Sequence, residues 1–299
     1  MQAQKRKRKQ DSPLEEIIRY TRKIPRFKAL NKHLKTLNKM IGMEDIKKSI
    51  VSQIQFIITT GGKLDQHFLN TVLQGPPGTG KTTVAEILYN IWISLDIFDD
   101  DIPFTILHRS DFVGSYMGHT SNKTRKLLNK HAGGVIFIDE AYSLMNGDKD
   151  EYGKEALDQL NAFMGEEKSN TIIIIAGYED NLQTNFFDAN AGLKRRFGWF
   201  FSIKQYSYKE LFQIFQRQLS LCDWSVHKKC ENLFEKYYSK FKNAGGDTAN
   251  ICFQAKLAYS KTNWMKRRQT KHLTYEHVKQ AMENYFIEEE RDYELNMYI

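Results

Sequence analysis

Gly75-Pro76-Pro77-Gly78-Thr79-Gly80-Lys81-Thr82 fits the spacing G-x-x-x-x-G-K-S/T. In a loop of this kind successive backbone N–H groups point inward and form a concave nest for an anion. Gly78 and Gly80 let the backbone approach oxygens that a Cβ would hold away. Thr71-Val72-Leu73-Gln74, just before it, is a short apolar run that reads as a buried strand. Thr83 to Ile91, just after it, carries apolar residues at helical spacing. Strand, glycine loop and helix in that order put the anion at a helix N-terminus. The stretch Gly75 to Thr83 therefore predicts a site for a nucleoside triphosphate. Lys81 brings a point charge to the β- and γ-phosphates, and the Thr82 hydroxyl is a ligand for Mg²⁺.

A chain of 299 residues, 41% hydrophobic and 13% aromatic, can bury a sizeable core in one large or two modest domains. No run approaches the roughly 18 uninterrupted apolar residues of a membrane span, so no membrane role is expected. The N-terminus is basic and polar, with no apolar segment of the secretory kind. Cys222, Cys230 and Cys252 show no metal-ligand spacing with the histidines and read as free thiols of a reducing compartment.

The net charge of +8 is unevenly spread. Residues 1–35 hold 12 Lys/Arg against 3 Asp/Glu, which leaves 32 against 33 in the other 264 residues. The basic character thus belongs to one end of the chain. Lys5-Arg6-Lys7-Arg8-Lys9 reads as a nuclear-import signal, a nucleic-acid-binding arm or a solvated terminus. The expected location is intracellular, in the cytoplasm or the nucleus.

Along the chain, Leu14 to Asn38 suggests one or two short helices broken at Pro25, and Glu44 to Thr60 an amphipathic helix stopped by Gly61-Gly62. Beyond the glycine loop, apolar runs at 104–108, 134–139, 171–176 and 199–203 alternate with helical patterns. Five strands joined by helices predict a doubly wound α/β domain with a five-stranded parallel sheet, which binds ligands at the carboxyl ends of its strands. After Gln205 only helical periodicity appears, at 208–221, 228–242, 248–266 and 274–285. The expected organisation is a basic, partly disordered tail (1–35), an α/β nucleotide-binding domain (36–202), a small all-helical domain (203–287) and an acidic tail (288–299).

Val135-Ile136-Phe137-Ile138-Asp139-Glu140 supplies the second nucleotide element. A carboxylate at a strand end beside the loop, Asp139, suits the Mg²⁺ shell. The next carboxylate, Glu140, points the other way and can polarise an attacking water.

These two elements, with Asp111 to Thr120, Gly133 to Tyr142 and Ile175-Ala176-Gly177-Tyr178, resemble the AAA+ ATPases, within them the CbxX/CfqX-type branch. Gly245-Gly246-Asp247 with Lys256-Leu257-Ala258 is similar to AAA+ proteins encoded by large DNA viruses. The resemblance implies ATP and Mg²⁺ as ligands and a homo-oligomeric ring, usually a hexamer, with ATP at the subunit interfaces. It implies arginine fingers in Gly192 to Phe197, Arg196 first and Arg195 second, and a pore loop at Tyr116-Met117-Gly118 that grips an extended protein client. Two positions depart from the pattern. Gly177-Tyr178 stands where a polar residue is expected at the end of the fourth strand, and Ala249-Asn250 where a lid arginine is expected.

The expectation is an oligomeric ATPase that remodels a protein client. The alternative is a nucleic-acid-associated ATPase such as a loader or replication accessory, motivated by the basic terminus and Lys266-Arg267-Arg268. No motif identifies the client.

Overall fold

A strand that is apolar without alternation needs cover on both faces, and the runs 135–138 and 172–176 are of that kind. The computed structural model describes residues 12–61, 69–98, 102–114, 116, 118–147, 149–166, 171–266 and 270–296, with side chains to 287. The chain folds as two compact units: Met1–Gly75 with Lys81–Ile203, and Pro76–Gly80 with Lys204–Ile299.

The first unit contains, in order, α1 (Pro13–Arg22), α2 (Lys28–Asn38), α3 (Glu44–Thr60), β1 (Thr71–Gln74), α4 (Lys81–Ile93) and β2 (Phe104–Leu107). It continues with the one-turn α5 (Arg109–Phe112), then α6 (His119–Lys130), β3 (Val135–Ile138), α7 (Glu151–Met164) and β4 (Ile172–Gly177). Two further one-turn helices, α8 (Glu179–Leu182) and α9 (Ala191–Lys194), lead to β5 (Trp199–Ser202). The five strands are all parallel in the order β2-β3-β4-β1-β5. Alternation along each strand sends neighbours to opposite faces. Leu73, Val135 and Phe137 enter the core shared with α1 to α4, while Val72, Ile136 and Ile138 enter the core under α6 and α7.

Of the stretch expected as a basic tail, residues 1–11 lie outside the described residues. Residues 12–35 are not a partly disordered tail. Ser12 and Glu15 form a capping box at the start of α1, with Pro13 in its first turn. Leu14, Ile17, Phe27, Leu30, Leu34 and Leu37 are buried in the first core. Apolar residues at helical spacing outweigh the surrounding charge, because the charges occupy the other face.

The second unit holds α10 (Tyr208–Ser220), β6 (Ser225–Val226), α11 (Glu231–Lys236), α12 (Gly245–Asn263), β7 (His272–Leu273) and α13 (Tyr275–Asn296). It departs from all-helical by the parallel pair β6–β7, whose two-residue strands are too short to show a period in sequence. The helix expected over 228–242 is broken, with three-residue turns at Lys228–Cys230 and Tyr238–Lys240 around α11. Aromatic packing explains the break. A continuous helix would set Phe234 and Phe241 about 10 Å apart along its axis, whereas their rings stack at 5.5 Å and Phe241 also meets Phe286 at 5.3 Å. Among the described residues no helix is long and apolar enough to cross a membrane.

Candidate nucleotide site

Because β1, β3 and β4 are parallel neighbours, their carboxyl ends bring Gly75, Asp139 and Gly177 to one edge of the first unit's sheet. The Gly75 N–H donates to the Gly177 carbonyl at 3.0 Å, which fixes where the loop leaves β1. Lys81 opens α4, and its Nζ donates to the Gly75 carbonyl at 2.9 Å. Burial holds its pKa below the ordinary lysine value, against the opposing pull of Asp139 and Glu140. The Thr82 hydroxyl faces an Asp139 carboxylate oxygen at 3.5 Å. A hydroxyl and a carboxylate are the hard oxygen donors magnesium takes, and it fills its remaining positions with water and substrate phosphates. Among the described residues no group of three or more His, Cys, Asp or Glu could hold a metal. The donors present therefore fit a metal carried largely by phosphates. Thr83, the third residue of α4, is exposed.

Asp139 accepts the Glu140 N–H at 3.0 Å. Glu140 itself sits at φ 49° and ψ 47°, left-handed backbone that costs a residue with a Cβ about 1–3 kcal/mol. That turn separates the two adjacent carboxylates and leaves Glu140 exposed.

Tyr178 and three residues for which no role was expected, Tyr142, Arg109 and Asp150, complete this edge. The Tyr142 hydroxyl lies near the Glu140 carboxylate. Burial first, then the charge of Glu140 and the neighbouring Tyr178, pushes its pKa up to about 12, so it stays a donor at neutral pH. The Tyr142 and Tyr178 rings lie 5.5 Å apart, and Lys81 stands 5.4 Å over the Tyr178 ring. A Cβ on Gly177 would come within 2.7 Å of Tyr142 Cδ1. The residue ending β4 is glycine because a tyrosine ring occupies the space of its side chain. In sequence Tyr142 closes the stretch Gly133 to Tyr142 that carries the resemblance, but nothing there pairs it with Gly177.

Behind Glu140, Arg109 donates to the carbonyls of Ser143 and Leu144 and pairs with Asp150 at 2.7 Å. Burial works to raise the Asp150 carboxyl, but Arg109 and the N–H groups of Gly153 and Asn146 outweigh it and hold the group below its ordinary value. The pair clamps the turn Ala141–Leu144 that follows Glu140.

Pro76–Gly80, the crest of the loop, packs within the second unit. Thr79 donates its hydroxyl to the Pro76 carbonyl at 2.7 Å, and its own carbonyl accepts from Tyr206 Oη at 2.9 Å. The Gly78 carbonyl accepts the N–H of Gly245, the first residue of α12, at 3.0 Å. Gly78 has φ +65°, and a Cβ there would lie 1.8 Å from the Asn243 carbonyl oxygen, so no other residue fits. Asp247, fully buried, accepts from the Asn243 N–H at 2.7 Å and from Tyr285 Oη at 2.9 Å. Near the absent lid arginine, Lys256 is engaged over the Trp224 ring at 5.9 Å.

The arginine pair lies at the other edge of the sheet. Asn70 precedes β1, and its side chain donates to the Arg196 carbonyl at 3.0 Å and accepts the Ile173 N–H at 2.7 Å. Arg195 and Arg196 thus stand where β1 and β5 begin, about 13 Å from the loop along a four-residue strand. Arg195 is exposed, whereas Arg196 is half-buried against Gly165 at the end of α7, with its Nε buried and unpartnered. Tyr116 is 70% exposed between α5 and α6 and touches the His119 ring at 5.6 Å. Gly118 caps α6, and Met117 lies outside the described residues.

A family model described as "ATPase family associated with various cellular activities (AAA)" matches residues 71–197. The putative cfxQ-like protein R730 of Acanthamoeba polyphaga mimivirus is 34% identical over 246 residues, covering 80% of this chain and 60% of that protein. Stage V sporulation protein K of Bacillus subtilis is 33% identical over 215 residues, 70% of this chain and 66% of that protein. The chain therefore spans less than two thirds of the length of either relative. Among solved structures, the AAA domain of FIGL-1 in complex with ADP superposes with a TM-score of 0.56 at 20% identity, covering 81% of this chain and 82% of that one, a likeness of fold. With its parallel sheet, its glycine loop before α4 and Asp139 at the end of β3, the chain carries an AAA ATPase domain over residues 71–197.

Proposed function

We propose that this chain is an Mg²⁺-dependent ATPase that works as a ring and remodels a protein client. The observation that carries the proposal is the split of its charged groups between two edges of one sheet. Lys81, Thr82, Asp139 and Glu140 gather at the carboxyl edge, and Arg195 and Arg196 stand at the amino edge, out of reach of the same loop. Two incomplete halves in every copy call for a neighbour to join them.

Within one site, the N–H groups of Gly75 to Thr83 and the Lys81 ammonium bind the phosphates. Thr82 and Asp139 would hold Mg²⁺, which would supply positive charge against the charge developing on the phosphates. Glu140 orients a water and takes its proton as the water oxygen bonds to the γ-phosphorus and the bond to the β–γ bridging oxygen breaks, giving ADP and phosphate. The Tyr142 hydroxyl positions that carboxylate. An arginine of the neighbouring copy, Arg196 or the more exposed Arg195, stabilises the charge spread over the transferring group. Tyr116, exposed beyond the carboxyl end of β2, supports a grip on an extended peptide by ring packing.

The test is Glu140→Gln. ATP binding is expected to persist while turnover falls, and client proteins are expected to remain trapped on the ATP-bound ring. Turnover at the parent rate would remove Glu140 from the assigned role.

A further inference from the structure

A groove of about 630 Å³ opens beside the end of α1 and along the outer face of α2. Six exposed cations line it: Arg22, Lys23, Lys28, Lys32, Lys35 and Lys39. Among the described residues no carboxylate and no aromatic ring does so. Residues 12–42 hold 8 Lys/Arg against 2 Asp/Glu. Both acids, Glu15 and Glu16, sit in the first turn of α1, at the opposite end of that helix from Arg22. Lys28, Lys32, Lys35 and Lys39 recur at helical spacing, so four positive charges form one row about 16 Å long. Leu30, Leu34 and Leu37 point the other way into the core and hold the row on a rigid support.

We propose that this groove docks the phosphate backbone of double-stranded DNA without reading its sequence. A fixed row of cations meets a polyanion with one phosphate per about 3.4 Å of each strand, and binding gains from counterion release. Single strands are held by stacking bases on aromatic rings, and the groove has none among the described residues. Duplex RNA is recognised largely through its 2′-hydroxyls. The neutral polar groups here are committed to their own chain: Asn31 Nδ2 donates to Ile18 and Thr21, and the Thr36 hydroxyl to Lys32. An anionic membrane surface takes helices that insert an apolar face, and the apolar faces of α1 and α2 are already spent on the core. The inference stands whether or not the ATPase reading holds.

The test measures binding of the whole chain to a short random-sequence DNA duplex as salt is raised. Six phosphate contacts predict a loss of affinity of about 10³-fold between about 50 and 200 mM salt. Replacing Lys28, Lys32 and Lys35 together by alanine is expected to lower the slope of log affinity against log salt by about 3, whatever the terminal basic run adds. Arginine at the same three positions is expected to keep the slope, and ATP turnover to be unchanged in both variants. The proposal is overturned if the alanine variant stays within about one unit of the parent slope. It is equally overturned if the arginine variant behaves like the alanine one. Preference for phosphatidylserine vesicles, duplex RNA, single-stranded DNA or an acidic polypeptide of equal charge over the duplex overturns it too.

Discussion

The two edges of the five-stranded sheet are built differently. At the carboxyl edge the charged groups are held by their own chain: Lys81 by the Gly75 carbonyl, Asp139 by the Glu140 N–H, and the turn behind Glu140 by the Arg109–Asp150 pair. At the amino edge the backbone is equally well fixed through Asn70, yet the Arg195 side chain is exposed and the Arg196 Nε is buried without a partner. One edge gathers charged groups with partners of their own, and the other presents an exposed arginine and one whose buried Nε has no partner among the described residues. The proposed ring would join these two surfaces head to tail, a contact that closes into a ring when the rotation permits.

Alanine at both Arg195 and Arg196 is expected to have the largest effect, a fall in turnover of about 10³–10⁵ with ATP affinity of the isolated subunit retained. Single variants measured the same way sharpen the assignment: the more damaging of the two marks the residue that crosses the interface. If neither single nor double variant slows turnover, the amino edge has no catalytic part. Glu140→Gln comes next, with kcat lower by about 10²–10⁴ and nucleotide affinity intact in an equilibrium binding assay.

The packing of Tyr142 on Gly177 yields two smaller effects. Gly177→Ala forces a Cβ to within 2.7 Å of the Tyr142 ring and should cost about 1–3 kcal/mol in denaturant unfolding. Tyr142→Phe keeps the ring and removes the hydroxyl. It should lower kcat by about tenfold, the value of one positioning hydrogen bond of about 1.4 kcal/mol, with KM unchanged. With its pKa at about 12, the hydroxyl is protonated throughout the neutral range. The Phe variant should therefore differ from the parent by the same factor at every neutral pH, and a factor that shrinks as pH rises would contradict a donating Tyr142.

The parts legible in the sequence are those whose cause is local. Thr71–Gln74, the glycine loop, Val135–Ile138 and Ile172–Ala176 declare themselves by apolar runs and by a motif of fixed spacing, and the sheet follows from them. The helices of residues 12–35 and their break at Pro25 are legible in the same way, but not that their leucines join the first core, because that packing is made with residues distant in sequence. Tyr142 on Gly177, Arg109 with Asp150, and Gly245 on Gly78 join residues 35 to 167 positions apart, and periodicity carries no record of such contacts. The two-residue strands of β6 and β7 likewise leave no pattern to read. The glycine at the end of β4 is instructive, since it looked like a defect in the site until the tyrosine that fills its place came into view.

The central claim is that the two edges belong to one active site shared between copies. The direct measurement mixes the Glu140→Gln variant with the Arg195→Ala/Arg196→Ala variant, each nearly inactive alone, and follows ATP turnover after subunit exchange. In a ring assembled at random from equal parts, about a quarter of the interfaces join an intact Glu140 to an intact arginine pair, so turnover should recover to about a quarter of the parent rate. A mixture that assembles and yet stays no more active than its two components would contradict the account.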